Sequence, residues 1–365
     1  MSDAPGFRDV PRTSVVTGGS GFVGRRLVEM LVERGAERVV SFDRAPRPAD
    51  ALDDPRIEYV QGDLTRRDQV LAACEGVECC FHIGALVGPF HDQAEYERVN
   101  YQGTLHVIDG CRAHGVRKLV MSSSPSTRFP YPDPNVRGLT EDDLERINGG
   151  PYSPQFHATY ARTKAMGERA VLEACSDELM TVAVAPHQVY GPRDPLFLPS
   201  LLAAARSGAL RIFGPGTNRV SFTHVDNYCH GLILGAEALR PGSPALGRFY
   251  IVTDGDAQNL WDVIDRAVIG VGLPSLRTRR ALPVWLMQGA ARGSMALGRV
   301  ISAVTRTPYP HVMRRLKLTT FSVTMLVIDR SFDISRARRE LEYAPLIPFE
   351  EGWAQTVRWF ADHPG

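Results

Sequence analysis

No single sign of charge dominates this sequence: 42 Lys and Arg stand against 41 Asp and Glu, for a net charge of +1. The basic excess that general nucleic-acid affinity needs is absent, and no nucleic-acid partner is expected. Cysteine is sparse and unpatterned. Cys74, Cys79, Cys80, Cys111, Cys175 and Cys229 form no C-x-x-C pair and no metal-ligand spacing, so reduced thiols and no metal site are expected. No window reaches about 18 uncharged apolar residues, so no ordinary transmembrane helix is expected. Residues 1–12 hold Asp3, Pro5, Asp9 and Pro11 without an apolar core, and no secretory signal is expected. Internal repeats and low-complexity linkers are also missing. The chain's 365 residues suffice for one large or two modest domains.

What is present is organised around Thr17-Gly18-Gly19-Ser20-Gly21-Phe22-Val23-Gly24. An apolar run, Ser14 to Thr17, leads in, and an amphipathic run, Phe22 to Arg34, leads out. Strand, glycine turn and helix together hold a dinucleotide pyrophosphate. Gly18 permits the tight turn, Gly21 lets the backbone approach the phosphates, and Gly24 lets helix and strand pack closely. The helix start offers free N–H groups and a positive dipole, so Ser20, Phe22 and Val23 join the glycines as cofactor candidates. Residues 38–42 read as a second strand ending in Asp43, about 20 residues past the glycines, where a carboxylate can hold a ribose hydroxyl pair. Asp43 favours NAD over NADP, because a 2′-phosphate would meet a carboxylate; Arg44 beside it could still admit NADP.

Through residue 185, β-rich runs alternate with helical patterns, the signature of a parallel sheet covered on both faces. Strands are expected near 14–17, 38–42, 57–60, 78–82, 117–122 and 180–185, and helices near 22–34, 68–74, 96–114 and 156–176. The expected fold is α/β: a Rossmann-type doubly wound parallel sheet over residues 12–185, then a smaller C-terminal substrate lobe making up most of 186–365. Gln61-Gly62-Asp63-Leu64 and the loop 84–89 follow the third and fourth strands, so both belong on the carboxyl edge where ligands bind. Asp63, Leu64, Gly84 and Ala85 are cofactor candidates there, and Val87 a substrate candidate. Asp63 could receive an adenine amino group or serve as a turn carboxylate.

The fifth strand ends in Ser122-Ser123-Ser124-Pro125-Ser126, and Tyr160-Ala161-Arg162-Thr163-Lys164 follows inside a helical stretch. Tyrosine and lysine at i and i+4 share a helix face. A phenol with an ordinary pKa near ~10 is a poor base at neutral pH, and a nearby ammonium favours its ionised form. A serine hydroxyl donating to the substrate oxygen would complete a set for moving a proton on or off an alcohol.

With these residues, the chain resembles the extended short-chain dehydrogenase/reductases over roughly residues 12–360. The glycine turn, Asn100 in Val99-Asn100-Tyr101-Gln102-Gly103-Thr104, the serine run, Tyr160-x-x-x-Lys164 and Val189-Tyr190-Gly191-Pro192-Arg193 match in order. The resemblance implies that Tyr160 is the catalytic acid/base. Lys164 would bind the nicotinamide ribose and lower the Tyr160 pKa, and Ser124 would polarise the reacting oxygen. Asn100 would hold a structural or proton-relay water; its other reading is a helix-start amide. His187 and Val189 would lie beside the nicotinamide. A homodimer through the helices near 96–114 and 156–176 is also implied.

Within that superfamily, proteins acting on nucleotide sugars place a diphosphate-gripping arginine where this chain has Val220, although Arg219 is adjacent. Residues 191–195, 222–227 and 249–254 instead resemble the 3β-hydroxysteroid dehydrogenases, particularly the decarboxylating sterol-4α-carboxylate 3-dehydrogenases. That resemblance implies NAD-dependent oxidation of a sterol 3β-hydroxyl. A 4α-carboxysterol would then lose carbon dioxide, because the new ketone can accept the electrons. A dehydrogenase that isomerises a steroid double bond, a nucleotide-sugar epimerase or dehydratase, and a non-enzymatic NAD-sensing or scaffolding protein are the alternatives. Pro125, Arg128, Tyr190 and Arg193 are further substrate candidates; either arginine could attract a carboxylate or form a loop salt bridge.

Beyond residue 186, helices are expected at 197–207, 225–239, 259–270 and, near the end, 336–342 and 350–361. Residues 266–328 contain arginines but no Asp or Glu. Inside this span, Val284 to Thr305 is helix-compatible, with Gln288, Arg292, Arg299, Ser302 and Arg306 on one face and Leu286, Ala290, Leu297, Ile301 and Val304 on another. A basic amphipathic segment at about 281–318, with Trp285 near its start, suits a membrane interface. It could equally pack on the protein's own core. The expected location is the cytoplasm, with peripheral attachment through this segment.

Overall fold

Seven short runs dominated by branched and aromatic side chains form the central strands, as such residues favour a pleated, buried surface. They are β1 (Thr13–Thr17), β2 (Arg38–Asp43), β3 (Ile57–Gln61), β4 (Cys79–His82), β5 (Lys118–Ser122), β6 (Met180–Pro186) and β7 (Arg248–Val252). The computed structural model describes residues 10–88 and 90–363. Residues 1–9, which contain Asp3, Pro5 and Asp9 of the N-terminal reading, and Pro89 of the loop 84–89 lie outside the described residues. The sheet order is β7-β6-β5-β4-β1-β2-β3, and each neighbouring pair is parallel. Alternate residues feed opposite faces. Val15 and Val40 enter one core, while Val16 and Val39 enter the other. Strand order reverses at β1, which leaves a crevice at the carboxyl ends of β1 and β4.

β7 is the departure from the sequence-based division at 185. Its burial pattern is nearly continuous, as a strand covered on both faces requires. The helix Val225–Ala238, with ten buried residues, supplies the crossover that parallel pairing needs. The chain therefore leaves the sheet after β6, builds part of the lobe, and returns. The lobe holds the helices Phe197–Arg206, Leu260–Gly270, Val284–Thr305, Tyr309–Leu316 and Thr320–Met325. Its four-stranded sheet has the order Gln258–Asn259, Arg219–Val220, Arg330–Phe332, Val136–Leu139. Asn259 caps its helix by accepting from the Asp262 amide.

The helix Val284–Thr305 packs on the lobe by a narrow stripe, with Ala291 and Gly298 buried. The expected polar face is split. Gln288 Nε2 donates to Thr324 Oγ1 (3.1 Å) and Ser302 Oγ to the Thr307 carbonyl (2.7 Å), so both turn towards the protein. Leu286, Leu297 and Val304 turn outward instead, beside Trp285 (75% exposed) and Val300. Among the described residues, no helix is long and apolar enough to cross a membrane.

Candidate active site

A cavity of about 950 Å³ follows the carboxyl ends of the strands. Gly18, Gly21, Phe22, Val23 and Gly24 line one end. Gly18 has φ +74°, and a Cβ there would lie 2.8 Å from Gly84 Cα; a Cβ on Gly24 would lie 2.0 Å from the Gly18 carbonyl oxygen. Side chains are thus excluded where a pyrophosphate must meet the start of the helix Phe22–Glu33. Asp43 Oδ2 accepts from the Ser20 amide (3.0 Å) and Oδ1 from the Ala45 amide (2.8 Å), which orients the carboxylate at the rim. Ser20 therefore contributes an amide, and its side chain is not part of the lining. Arg44, Asp63, Leu64, Gly84 and Ala85 complete this end. Asp63 is a turn carboxylate, with Oδ1 accepting from the Thr65 amide (2.8 Å), and also lines the cavity. This glycine cradle and carboxylate rim fit a dinucleotide.

Beneath the cradle lies a relay that sequence reasoning did not find. Buried His82 at the end of β4 is bonded through Nδ1 to Thr17 Oγ1 (2.8 Å) and through Nε2 to Thr104 Oγ1 (3.0 Å). Thr17 Oγ1 accepts from the Gly84 amide (3.1 Å), and Thr104 Oγ1 donates to the Asn100 carbonyl (2.8 Å). Those two bonds set the tautomer: Thr17 donates to Nδ1, and Nε2–H donates to Thr104. Burial pushes the imidazole pKa down to about 3, so the ring is neutral. Asn100 sits in a π-helical turn, Glu97–Gln102. Its Oδ1 accepts from the Leu86 amide (2.7 Å), and its Nδ2 donates to the Leu86 carbonyl (3.1 Å). Asn100 is a two-point clamp on the loop after β4, away from the cavity lining, and its Nδ2 also reaches Thr163 Oγ1 (3.3 Å); it lies inside the π-helical turn and does not act as a helix-start amide.

The three serines differ in what they touch. Ser122 Oγ accepts from Tyr228 Oη (2.7 Å), and Ser123 Oγ donates to the Glu168 carboxylate. Among the described residues, Ser124 Oγ is shared only with Ser126, at 2.9 Å from its hydroxyl. Ser124 and Tyr160 line the same cavity. Lys164, one turn beyond Tyr160 on the helix Thr159–Glu173, is buried behind it and donates from Nζ to the Ser122 carbonyl (2.6 Å). Burial lowers the Lys164 pKa to about 8. Burial and the edge-on neighbour Tyr96, 6.4 Å away, push the Tyr160 phenol above its ordinary range. The expected lowering of Tyr160 by Lys164 is not found: burial and Tyr96 both raise the phenol, and the Lys164 ammonium is engaged by the Ser122 carbonyl.

Four substrate candidates do not line the cavity. Arg128, 1% exposed, is paired with buried Glu168 (2.6 Å) and lies 3.4 Å from the Phe249 ring centroid. Arg193 holds Glu29 by two 3.0 Å bonds. Tyr190 donates to Asp254 (2.7 Å) inside the lobe core, and Pro125 is buried at the start of a 3₁₀ turn. Each arginine found a carboxylate of its own, and Tyr190 a core position. Val87 does line the cavity, as do His187 and Val189. Residues not anticipated include Ser126, Phe129, His157, Phe321, Met325 and Arg330. Only the chain's return through 320–332 brings the last three here, and no local motif marks them.

The solved structures that share this architecture include a dTDP-glucose 4,6-dehydratase, DesIV from Streptomyces venezuelae with NAD and TYD bound. The likeness has a TM-score of 0.70 at 22% identity and covers 96% of this chain and 97% of that one. The sequence relatives include 2-alkyl-3-oxoalkanoate reductase from Stenotrophomonas maltophilia, 35% identical over 93% of this chain and 96% of its own. The decarboxylating sterol-4-alpha-carboxylate 3-dehydrogenase of Homo sapiens is 32% identical, over 94% and 87%. The sequence profile that matches, over residues 15–281, spans the glycine cradle, the serine–tyrosine–lysine set and the returning strand β7 together, and the chain belongs to the 3-beta hydroxysteroid dehydrogenase/isomerase family.

Proposed function

We propose that the protein is an NAD-dependent oxidoreductase that interconverts the hydroxyl and ketone of an apolar, α-substituted β-hydroxy acid. One observation carries the reading: Ser124 and Tyr160 share a cavity with an apolar wall from Phe197, Leu201, Phe321, Met325 and Leu326. Two relatives' names support the substrate class. A sterol 4-carboxylate oxidised at C3 and a 2-alkyl-3-oxoalkanoate reduced at C3 both place a carboxylate on the carbon beside the reacting one. A 4α-carboxysterol is one such substrate, and its ketone would release carbon dioxide as a β-keto acid does. One position weighs against the nucleotide-sugar alternative: Val220 is buried, and Arg219 is exposed with its guanidinium on the Ala257 carbonyl.

NAD, when bound, supplies the hydride acceptor and a positive ring that favours the phenolate. The glycine cradle and Asp43 would hold it, Asp43 favouring an unphosphorylated ribose. Ser124 Oγ–H would donate to the substrate oxygen, while Tyr160 Oη takes or returns its proton. Lys164 would hold the nicotinamide ribose. The exposed apolar residues of Val284–Thr305, beside Arg292 and Arg299, suit a peripheral position on an anionic lipid surface, where an apolar substrate is collected. A homodimer through the helices Gly103–Ala113 and Thr159–Glu173 belongs to the same reading.

The test is NADH formation by purified protein with a 4α-carboxy-3β-hydroxysterol and with a 2-alkyl-3-hydroxyalkanoate, each beside its counterpart lacking the carboxylate. Turnover of a carboxylated substrate supports the proposal, and mass spectrometry of the product shows whether carbon dioxide leaves. Equal oxidation of the counterparts would remove the acid from the substrate class. No oxidation of any of them, with NAD bound, would overturn the reading.

A further inference from the structure

Among the described residues, Arg330 is a cation without an anion. It is 6% exposed, yet its side chain lines the cavity. Its strand, Arg330–Phe332, runs between Arg219–Val220 and Val136–Leu139, so alternate side chains point opposite ways. Asp329 and Ser331 point outward: Asp329 Oδ2 accepts from Arg137 Nε (2.7 Å), and Ser331 Oγ accepts from the Gly138 amide (2.9 Å). Arg330 and Phe332 point inward.

The guanidinium has two contacts. Nη1 lies 3.3 Å from His187 Nε2, and Nη2 donates to the Met325 carbonyl at 2.9 Å. Nε is buried with no hydrogen-bond partner among the described residues. Arginine can only donate, so His187 accepts at Nε2 and carries its proton on Nδ1. Burial and the neighbouring arginine hold that imidazole neutral. Among the described residues no carboxylate offsets Arg330, and burial lowers its pKa to about 10. A buried charge without a counter-ion is strongly unfavourable unless something completes it.

Both neighbours lie at the substrate end. His187 follows β6 and packs against Phe332 (ring centroids 5.0 Å apart) and Phe129 (6.2 Å), the latter just past the turn that Ser124 caps. Met325 closes the helix whose Phe321 and Ser322 line the apolar wall. The glycine cradle and Asp43, by contrast, belong to the opposite, pyrophosphate end.

We propose that Arg330, steadied by His187 and the Met325 carbonyl, binds the carboxylate of the substrate beside the reacting carbon, an inference that rests on the hydroxy-acid reading above. A guanidinium fork matches a carboxylate in two parallel bonds. The residue selects acids over neutral alcohols of equal shape; it acts on affinity and orientation, leaving proton transfer to Tyr160.

The test compares wild type with Arg330→Gln and Arg330→Lys on a 2-alkyl-3-hydroxyalkanoate and its methyl ester, with thermal unfolding and NAD titration as controls. Arg330→Gln is expected to lower kcat/KM for the acid by about 100-fold, mostly through KM, and to leave the ester within about threefold. Arg330→Lys is expected to retain charge but lose the fork, falling about tenfold on the acid alone; it carries the test if the glutamine variant does not fold. Parallel losses on acid and ester would overturn the proposal. If wild type turns over neither compound, the hydroxy-acid reaction fails separately. Calorimetric titration of the same acid into NAD-loaded wild type and variant then decides. Binding weakened only in the variant upholds the arginine; equal binding, or none to wild type, overturns it.

Discussion

The cofactor wall of the cleft is closed by backbone at Gly18 and Gly24, at distances that admit no side chain, whereas the substrate wall is mostly side chain, from Phe197, Leu201, Phe321 and Met325. A dinucleotide presents the same phosphates in every protein that binds it, so peptide N–H groups and one carboxylate suffice. A substrate skeleton has no such constant feature, and its wall must be shaped by residue identity. The first wall is therefore rigid and local in sequence. The second is assembled from distant segments around a few polar groups.

The sharpest way to separate the walls is Tyr160→Phe, which removes the proton-carrying oxygen from their junction. The expected result is a loss of about 1,000-fold in kcat, with NAD affinity unchanged by fluorescence titration. Next comes Glu168→Gln, which strands the buried Arg128 cation. Unfolding free energy should fall by about 3 kcal/mol while KM holds, because Arg128 belongs to the core; a large KM change would return it to the substrate wall.

The cofactor wall has its own acid weakness. Unfolded His82 takes up a proton near pH ~6.5, which the folded protein refuses until about pH 3. Its stability contribution is therefore full above the first value and erodes as pH falls. At pH 5 the loss should be about 2 kcal/mol, and denaturant titrations of His82→Gln should lose that part of the slope.

Gly24→Ala tests whether backbone closeness matters for binding. NAD affinity should weaken about tenfold, with the pH dependence of stability unaltered. Smallest of all is Arg193→Ala, which removes a partly exposed pair with Glu29. A change under about 1 kcal/mol is expected, and no change in KM.

The same contrast explains what the sequence disclosed. The cofactor wall is contiguous, so Gly18 to Gly24, Asp43 and Asp63 announce it by spacing. Tyr160 and Lys164 are legible because one helix turn joins them. β7 was hidden because its helix crossover sits after the lobe's first segments. Arg330 was hidden because nothing near it in the chain is catalytic, and it matters only where the lobe strand passes His187. Arg128 and Arg193 misled in the opposite sense: a loop arginine looks available until its carboxylate partner, on another element, is placed.

The Arg128–Glu168 pair also bears on how far the molecule can be divided. Glu168 sits on the helix that carries Tyr160, Arg128 on the turn after Ser124, and the ring covering Arg128 is Phe249 of β7. The catalytic helix is thus keyed to a strand that arrives after the lobe has begun. A piece ending at residue 185 would expose the hydrogen-bonding edge of β6 and uncover a buried cation at once. Cofactor half and substrate half are therefore not exchangeable cassettes: a chimera that keeps the first must inherit residues 225–252 with it.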